Sequence, residues 1–446
     1  MAAHPTGSDD PPAPRAGSTP DHRRPHCNES GDPRRARTVL FTPIGFNLAE
    51  VTRMIEVARA LPATLTPVFL AHDTAHLDHV RTAGFPLLHG TAELTAAQVA
   101  QVMALDQERG IRHPFTAELV EARVAREREA IQQTGAVAVV HGTNPTSTIS
   151  ARAEGIPLFY PVPFALSRPA FDAGLVAPVL PGRTVGRWLN PLLTPLFDRV
   201  FSRWPLTPRG VIAVARRHGV DLSPTLAEFF RGDVTLLTST AFEVADAALP
   251  PDHRLIGPIF AHLPGEVPGI VRELAAGSQP LVYMAFGSSG TRALARAAMR
   301  AVAGLPVQVV APIRGLLKPG DEHRVPPNVH LVDLLPAHRL GGLVDAAVLH
   351  GGQGTVQTAQ ATGVPFIGMG LSTEQRWNVA EAARRGSAIE LFPSDLQGDA
   401  RRFRRALYRV LFEDEIRDRA RTIQAEDAQE DGAARAAEII TAELGG

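Results

Sequence analysis

The sequence predicts an α/β protein with two Rossmann-like domains facing a central cleft. Three observations carry that expectation. Short apolar runs alternate with helical patterns twice over, first from residue 38 to about 237 and again from residue 281. Glycine-bearing loops follow several of these runs and lead into helices. A Pro- and Gly-rich stretch separates the two series. Such alternation builds a parallel sheet with helices on both faces, which binds ligands at the carboxyl ends of its strands.

Bulk properties agree. The chain has 446 residues, more than one ordinary core holds, so two or three domains are expected. Hydrophobic residues make up 44% and charged residues 20%, a globular composition. A formal net charge of −1 gives no bulk attraction to nucleic acid or to an anionic membrane. Cys27 stands alone, which excludes a disulfide framework and a cysteine-based metal site. No run of about 18 apolar residues marks a transmembrane helix, and no apolar core of a secretory signal is present. A cytoplasmic location is expected.

Residues 1–36 are rich in Pro, Asp, Arg, Ser and Gly and are expected to form a disordered N-terminal tail. The N-terminal domain, 37–245, begins with a strand at 38–41, a loop containing Gly45 and Asn47, a helix from about 49 to 61 and a strand at 67–70. That order is a βαβ unit. The polar stretch 92–133 is expected to be helical, and strands are expected at 136–140, 156–160 and 235–237. Trp188, Leu189, Leu192, Leu193, Leu196, Phe197, Val200, Phe201 and Trp204 recur at helical spacing. Core packing is the ordinary reading of such a stripe. A wall for an acceptor or a membrane surface is the sharper one. An interdomain linker is placed at 246–278. The C-terminal domain, 279–428, carries strands at 281–286, 307–311, 329–332, 346–349 and 365–368, and a last helix lies within 429–446.

The strongest chemical signal is the loop His350-Gly351-Gly352-Gln353-Gly354-Thr355 between the 346–349 strand and a helix. Glycines let a backbone approach a ligand closely. The helix N-terminus offers unpaired N–H groups to a phosphate, and His350 and Thr355 can add side-chain hydrogen bonds. Downstream, Glu374 and Gln375 follow another strand. A carboxylate beside an amide suits sugar hydroxyls, although Glu374 could equally be a helix-start acid. The loop around Ser288 can reach a diphosphate from the opposite side. Gly45 and Asn47, at the end of the first strand, are further substrate-binding candidates.

At these residues the chain resembles the family 1 glycosyltransferases, especially bacterial macrolide-type enzymes, and is similar to the lipid-intermediate N-acetylglucosaminyltransferases. The resemblance spans residues 38 to 440 and is most specific in the second half. There it rests on the 282–288 segment, on Asn328-Val329-His330-Leu331-Val332-Asp333-Leu334-Leu335-Pro336, on the His350 loop, and on Glu374-Gln375 with Asn378. It implies a GT-B fold, a UDP- or dTDP-linked sugar as donor substrate, no cofactor, no metal, and inversion at the anomeric carbon. His350, Gly352, Gly354 and Thr355 would hold the diphosphate, Glu374 and Gln375 the sugar, and the backbone at Leu334 and Leu335 would face the base. The last helix resembles one that crosses back to the N-terminal domain. A small or lipid-like acceptor, as in secondary metabolism, would complete the reaction, with peripheral membrane contact allowed.

Three positions depart from the family. Thr358 stands where a ribose-binding carboxylate is usual, and Leu334 where an aromatic residue often stacks on the base. The third departure is the catalytic histidine. Nine residues before Arg59 stands Glu50, while the strand at 136–140 ends in His141-Gly142 instead of an aspartate. Glu50 and His141 are therefore expected to be an exchanged acid–histidine pair, with His141 as base. The alternatives are another mechanism, a GT-B-fold protein that is epimerase-like or an accessory partner, and a nucleotide-binding module without turnover.

Overall fold

The computed structural model describes residues 36–110, 112–176 and 185–445. The tail expected over 1–36 lies, except for Ala36, outside the described residues. Among the described residues two parallel sheets form. The first has β1 (Arg37–Thr42), β2 (Leu65–Ala71), β3 (Leu87–His89), β4 (Ala136–His141), β5 (Leu158–Val162), β6 (Val234–Leu237) and β7 (His253–Leu255). Its order is β3-β2-β1-β4-β5-β6-β7. The second has β8 (Leu281–Ala285), β9 (Gln308–Ala311), β10 (Val329–Leu331), β11 (Ala346–Leu349), β12 (Phe366–Gly368) and β13 (Ala388–Glu390). Its order is β10-β9-β8-β11-β12-β13. The two-Rossmann GT-B architecture expected from the sequence is present.

Period-2 alternation buries both faces of each sheet. In β1, Val39 and Phe41 join Met54, Ile55 and Phe69 on one side, while Leu40 packs with Leu70, Ile131 and Val139 on the other. Burying a side chain of this size stabilises the fold by roughly 1.5–3 kcal/mol. The helix Gly432–Glu443 sets Ala436 and Ile440 into the first of those clusters. Arg37 Nη1 donates to the Leu444 carbonyl at 2.6 Å, so the chain's end is tied to the first sheet.

Both sheets reverse strand order beside their first strand. In the first sheet Thr42 lies opposite His141, and in the second Leu349 lies opposite Ala285. Loops leaving those strand ends diverge, and the crevice between them is where such sheets bind ligands. The Gly45 and His141 loops flank one crevice; the Ser288 and His350 loops flank the other.

Three segments differ from expectation. The 92–133 stretch forms two helices, Ala96–Asp106 and Ala117–Thr134, because Gly110 and Pro114 interrupt it. The stretch 246–278 contains β7, paired to β6, and the helix Gly269–Ala275. The stripe from Trp188 lies along the helix Val185–Phe201 but does not form core: Trp188, Leu192, Leu196 and Val200 are exposed.

Candidate active site

In the second sheet β11 is wholly buried, and the chain leaving it turns through Gly351 at φ 88°. Gly352 then caps the helix Gln353–Ala361. The His350 ring is packed so tightly against this turn that a Cβ on Gly352 would stand 2.6 Å from His350 Nε2. Glycine is required there for that reason. Burial pushes the His350 imidazole down to about 4 against a hydrogen bond to the Ala285 backbone, so it is neutral at pH 7 and its one ring N–H is engaged there.

The expected neighbours divide. Ser288 is exposed at the mouth of its loop and Gly354 is exposed on the first helical turn. The Thr355 hydroxyl instead donates to the Gly352 carbonyl at 2.8 Å, so its proton is spent on the turn and not on a ligand. Glu374 is half-buried and accepts from Asn378 Nδ2 at 2.5 Å. Burial, with the nearby Asp106 charge adding to it, raises its carboxyl to about 7. Gln375 differs from expectation. Its Oε1 accepts from Leu371 N at 3.0 Å and its Nε2 donates to Ser289 Oγ at 3.0 Å. Both ends of the amide bridge two loops, so the side chain holds the site together and is not offered to a sugar. The Leu334 side chain is 57% exposed, whereas that of Leu335 is buried in the core and anchors this stretch of backbone.

In the first sheet Asn47 is a helix cap. Its Oδ1 accepts from Ala49 N and Glu50 N at 3.1 and 3.4 Å, which occupies the side chain expected to meet substrate. Glu50 is buried, and its carboxylate accepts from Thr143 Oγ1 at 2.6 Å, Thr143 N at 3.1 Å and Ile44 N at 3.4 Å. Gly142 makes room for it: a Cβ there would meet Glu50 Oε2 at 1.9 Å.

The exchanged pair does not form. His141 Nδ1 contacts the Asn144 carbonyl at 3.3 Å, its Nε2 has no hydrogen-bond partner, and its ring lies 4.3 Å from that of Tyr160. Burial lowers its imidazole to about 4. The reason is geometric: the Thr143 hydroxyl and amide, one residue beyond Gly142, take the Glu50 carboxylate, and the imidazole is left buried beside Tyr160.

Between the two sheets a charged centre assembles from distant segments. Arg53 Nη1 donates to the Pro161 carbonyl and Nη2 to Gln353 Oε1, each at 3.3 Å. Burial lowers its guanidinium, while Glu50, Tyr160 and Glu374 oppose that shift. Asp106, at the end of its helix, has its carboxyl raised to about 6 by desolvation first, then by Glu50 and Glu108. Asp106 is exposed at the helix end. Glu108 accepts from Thr373 N at 2.6 Å, which docks this segment on the first turn of the helix Thr373–Arg385. Gln353 fastens the halves together: Oε1 accepts from Thr238 Oγ1 at 2.9 Å and Nε2 donates to the Thr238 carbonyl at 3.0 Å.

Residues 296–442 match the family model described as erythromycin biosynthesis protein CIII-like, C-terminal domain. A PGL/p-HBAD biosynthesis glycosyltransferase of Mycobacterium tuberculosis is 27% identical over 370 residues, which cover 80% of this chain and 81% of that one. The chain is a GT-B glycosyltransferase resembling family 1. Solved structures agree on the fold. CalG4, the calicheamicin glycosyltransferase, superposes with a TM-score of 0.64 at 21% identity, over 92% of this chain and 99% of that one. The glycosyltransferase VinC, in complex with dTDP, gives 0.61 at 21% identity, over 90% and 100%.

Four residues of this glycosyltransferase's cleft escape a reading of the sequence alone: Arg53, Asp106, Thr143 and Gln353. Gln353 stands inside the glycine loop, so the motif held it, but its partner Thr238 is 115 residues away. Arg53 sits on the inward side of the first helix, where an arginine among apolar neighbours is a usable signal. Asp106 carries no local signal, since it ends a helix with no buried face.

Proposed function

We propose that the chain moves a sugar from a nucleotide diphosphate, held by its C-terminal half, to a small or lipid-like acceptor presented by its N-terminal half. The carrying observation is the turn from β11 through His350 and Gly352 into the N-terminus of the helix Gln353–Ala361, set across the cleft from the Glu50–Arg53–Asp106 centre. Unpaired N–H groups and the helix dipole favour a diphosphate there, on a turn that the buried His350 ring holds in place. The charge on the departing diphosphate is thus met by protein groups, and no divalent metal is required. UDP and dTDP are the donor nucleotides we propose, and dTDP is what VinC holds in its structure. Glu374, with its carboxyl near 7, can both donate to and accept from sugar hydroxyls at neutral pH.

Transfer goes with inversion. The acceptor oxygen bonds to the anomeric carbon as the bond to the diphosphate breaks, and the acceptor's proton passes to a base on the N-terminal side. Asp106 takes that role, because a carboxyl near 6 is largely ionised at pH 7 yet still basic enough to accept a proton. Glu50, tied down by three donors, sets a fixed negative charge near Arg53 and keeps Asp106 raised.

Titration calorimetry with UDP and with dTDP tests the donor site. Gly352→Val forces a side chain into the His350 ring, so affinity should fall at least about tenfold, roughly 1.4 kcal/mol. Unchanged affinity in a folded variant would remove the donor from this loop. Transfer should also run at full rate in excess chelator. A strict requirement for magnesium or manganese, restored on adding the ion back, would overturn the metal-free route.

A further inference from the structure

The helix Val185–Phe201 is turned with its apolar side outward. Thr194 and Asp198 are buried, and Asp198 Oδ2 accepts from Val176 N at 2.8 Å. Trp188, Leu192, Leu196 and Val200 are 76%, 75%, 64% and 57% exposed. Their four-residue spacing makes one continuous stripe on a helix. Trp204, 59% exposed, extends it past the helix end. A stripe of this kind is unfavourable in water and marks a surface that something covers.

Residues 1–35 cannot be the cover, because they contain no Leu, Ile, Val, Phe, Tyr or Trp. Two features select the occupant. Arg199 and Arg203 are exposed and make no ion pair among the described residues, and helical spacing puts Arg199 on the same outward face as Leu192 and Leu196. Tryptophans stand at both ends of the stripe. Indole rings favour the level of lipid headgroups, and guanidinium groups are drawn to anionic ones. Apolar side chains flanked in this way describe a helix lying in the plane of a membrane surface.

We propose that this helix seats the protein on an anionic lipid bilayer. The proposal is independent of which residue is the base and of which nucleotide is the donor. Beneath the stripe, the helix is anchored on a buried aromatic cluster. Phe197 stacks on Phe201 at 5.4 Å, Phe201 meets Phe171 at 6.1 Å, and the same cluster contains Phe164 and Trp377, whose rings are 6.0 Å apart. Trp377 belongs to the helix that carries Glu374.

Co-sedimentation of the full chain with phosphatidylcholine vesicles, with and without phosphatidylglycerol, is the test. The protein should partition onto the anionic vesicles at low salt, with blue-shifted tryptophan emission. Leu192→Ser with Leu196→Ser should cut partitioning at least about tenfold without lowering the melting temperature. Arg199→Gln with Arg203→Gln should abolish the preference for anionic lipid while leaving nucleotide affinity unchanged. Absence of vesicle binding by the native chain, or equal binding by the serine variant, overturns the proposal. So does native self-association in sedimentation velocity that the serine variant abolishes in place of vesicle binding, since a second copy would then be the cover.

Discussion

Asp106→Asn is expected to lower turnover by roughly a hundredfold or more, the scale of losing a general base, while affinity for UDP or dTDP stays unchanged. The proposed nucleotide site lies on the C-terminal loops, whereas Asp106 ends a helix of the N-terminal half. The pH–rate profile supplies a second measurement. A base with its pKa near 6 must be ionised to act, so the native rate should rise with pH through about 6. That limb should vanish in the asparagine variant. Glu50→Gln removes one of the like charges that raise Asp106, so the rising limb should move to lower pH. Normal turnover in Asp106→Asn, or a limb that stays in place in Glu50→Gln, would return the base to another group.

The second large effect is on stability. Glu127 is buried, and its carboxylate accepts from Asn144 Nδ2 at 3.0 Å, His72 Nε2 at 3.1 Å, and the hydroxyls of Thr146 and Ser150 at 2.5 Å. Replacing it by alanine strands four donors and leaves a cavity. A loss of about 3–5 kcal/mol in urea unfolding is expected, the range for breaking a buried charged partnership. Burial alone would raise this carboxyl, but His72, Ser150 and Thr146 outweigh it, so it is held below the ordinary value. A carboxyl depressed on folding stabilises the native state above its unfolded pKa. That contribution should be lost as pH falls from about 4.3 through the lower folded value. A Glu127→Ala protein with native stability at pH 7 would show that Asn144 and its neighbours find other partners.

Much of the donor side is legible in the sequence because it is local. The order strand, glycine turn, helix N-terminus can be read from eleven consecutive residues or fewer, and β11, the turn at Gly351 and the following helix stand where that order puts them. The charged centre between the halves is not local. Arg53, Asp106 and Glu374 converge from three segments, and no spacing in the chain announces their meeting. Side-chain occupancy is equally hidden. Asn47, Thr355 and Gln375 have the right chemistry for ligands, but each spends it on a backbone group or a neighbouring loop. Periodicity identified the face beginning at Trp188 but could not tell which way it points. β7 and β13 carry His253, Arg254 and Glu390 in three-residue strands, too short and polar to stand out.

Gln353 and Gln357 both donate to the Thr238 carbonyl, and Arg53 donates to Gln353 in turn. The helix whose first turn would greet a diphosphate is therefore bolted to a strand end of the opposite half. The two halves are mechanically in series at that point. Any tilt that admits a nucleotide must stretch these amide contacts together, and any tilt that restores them re-aims the helix N-terminus at whatever lies beneath it. The orientation of the anion-binding turn is thus governed partly from Thr238, a residue that need touch no part of the nucleotide.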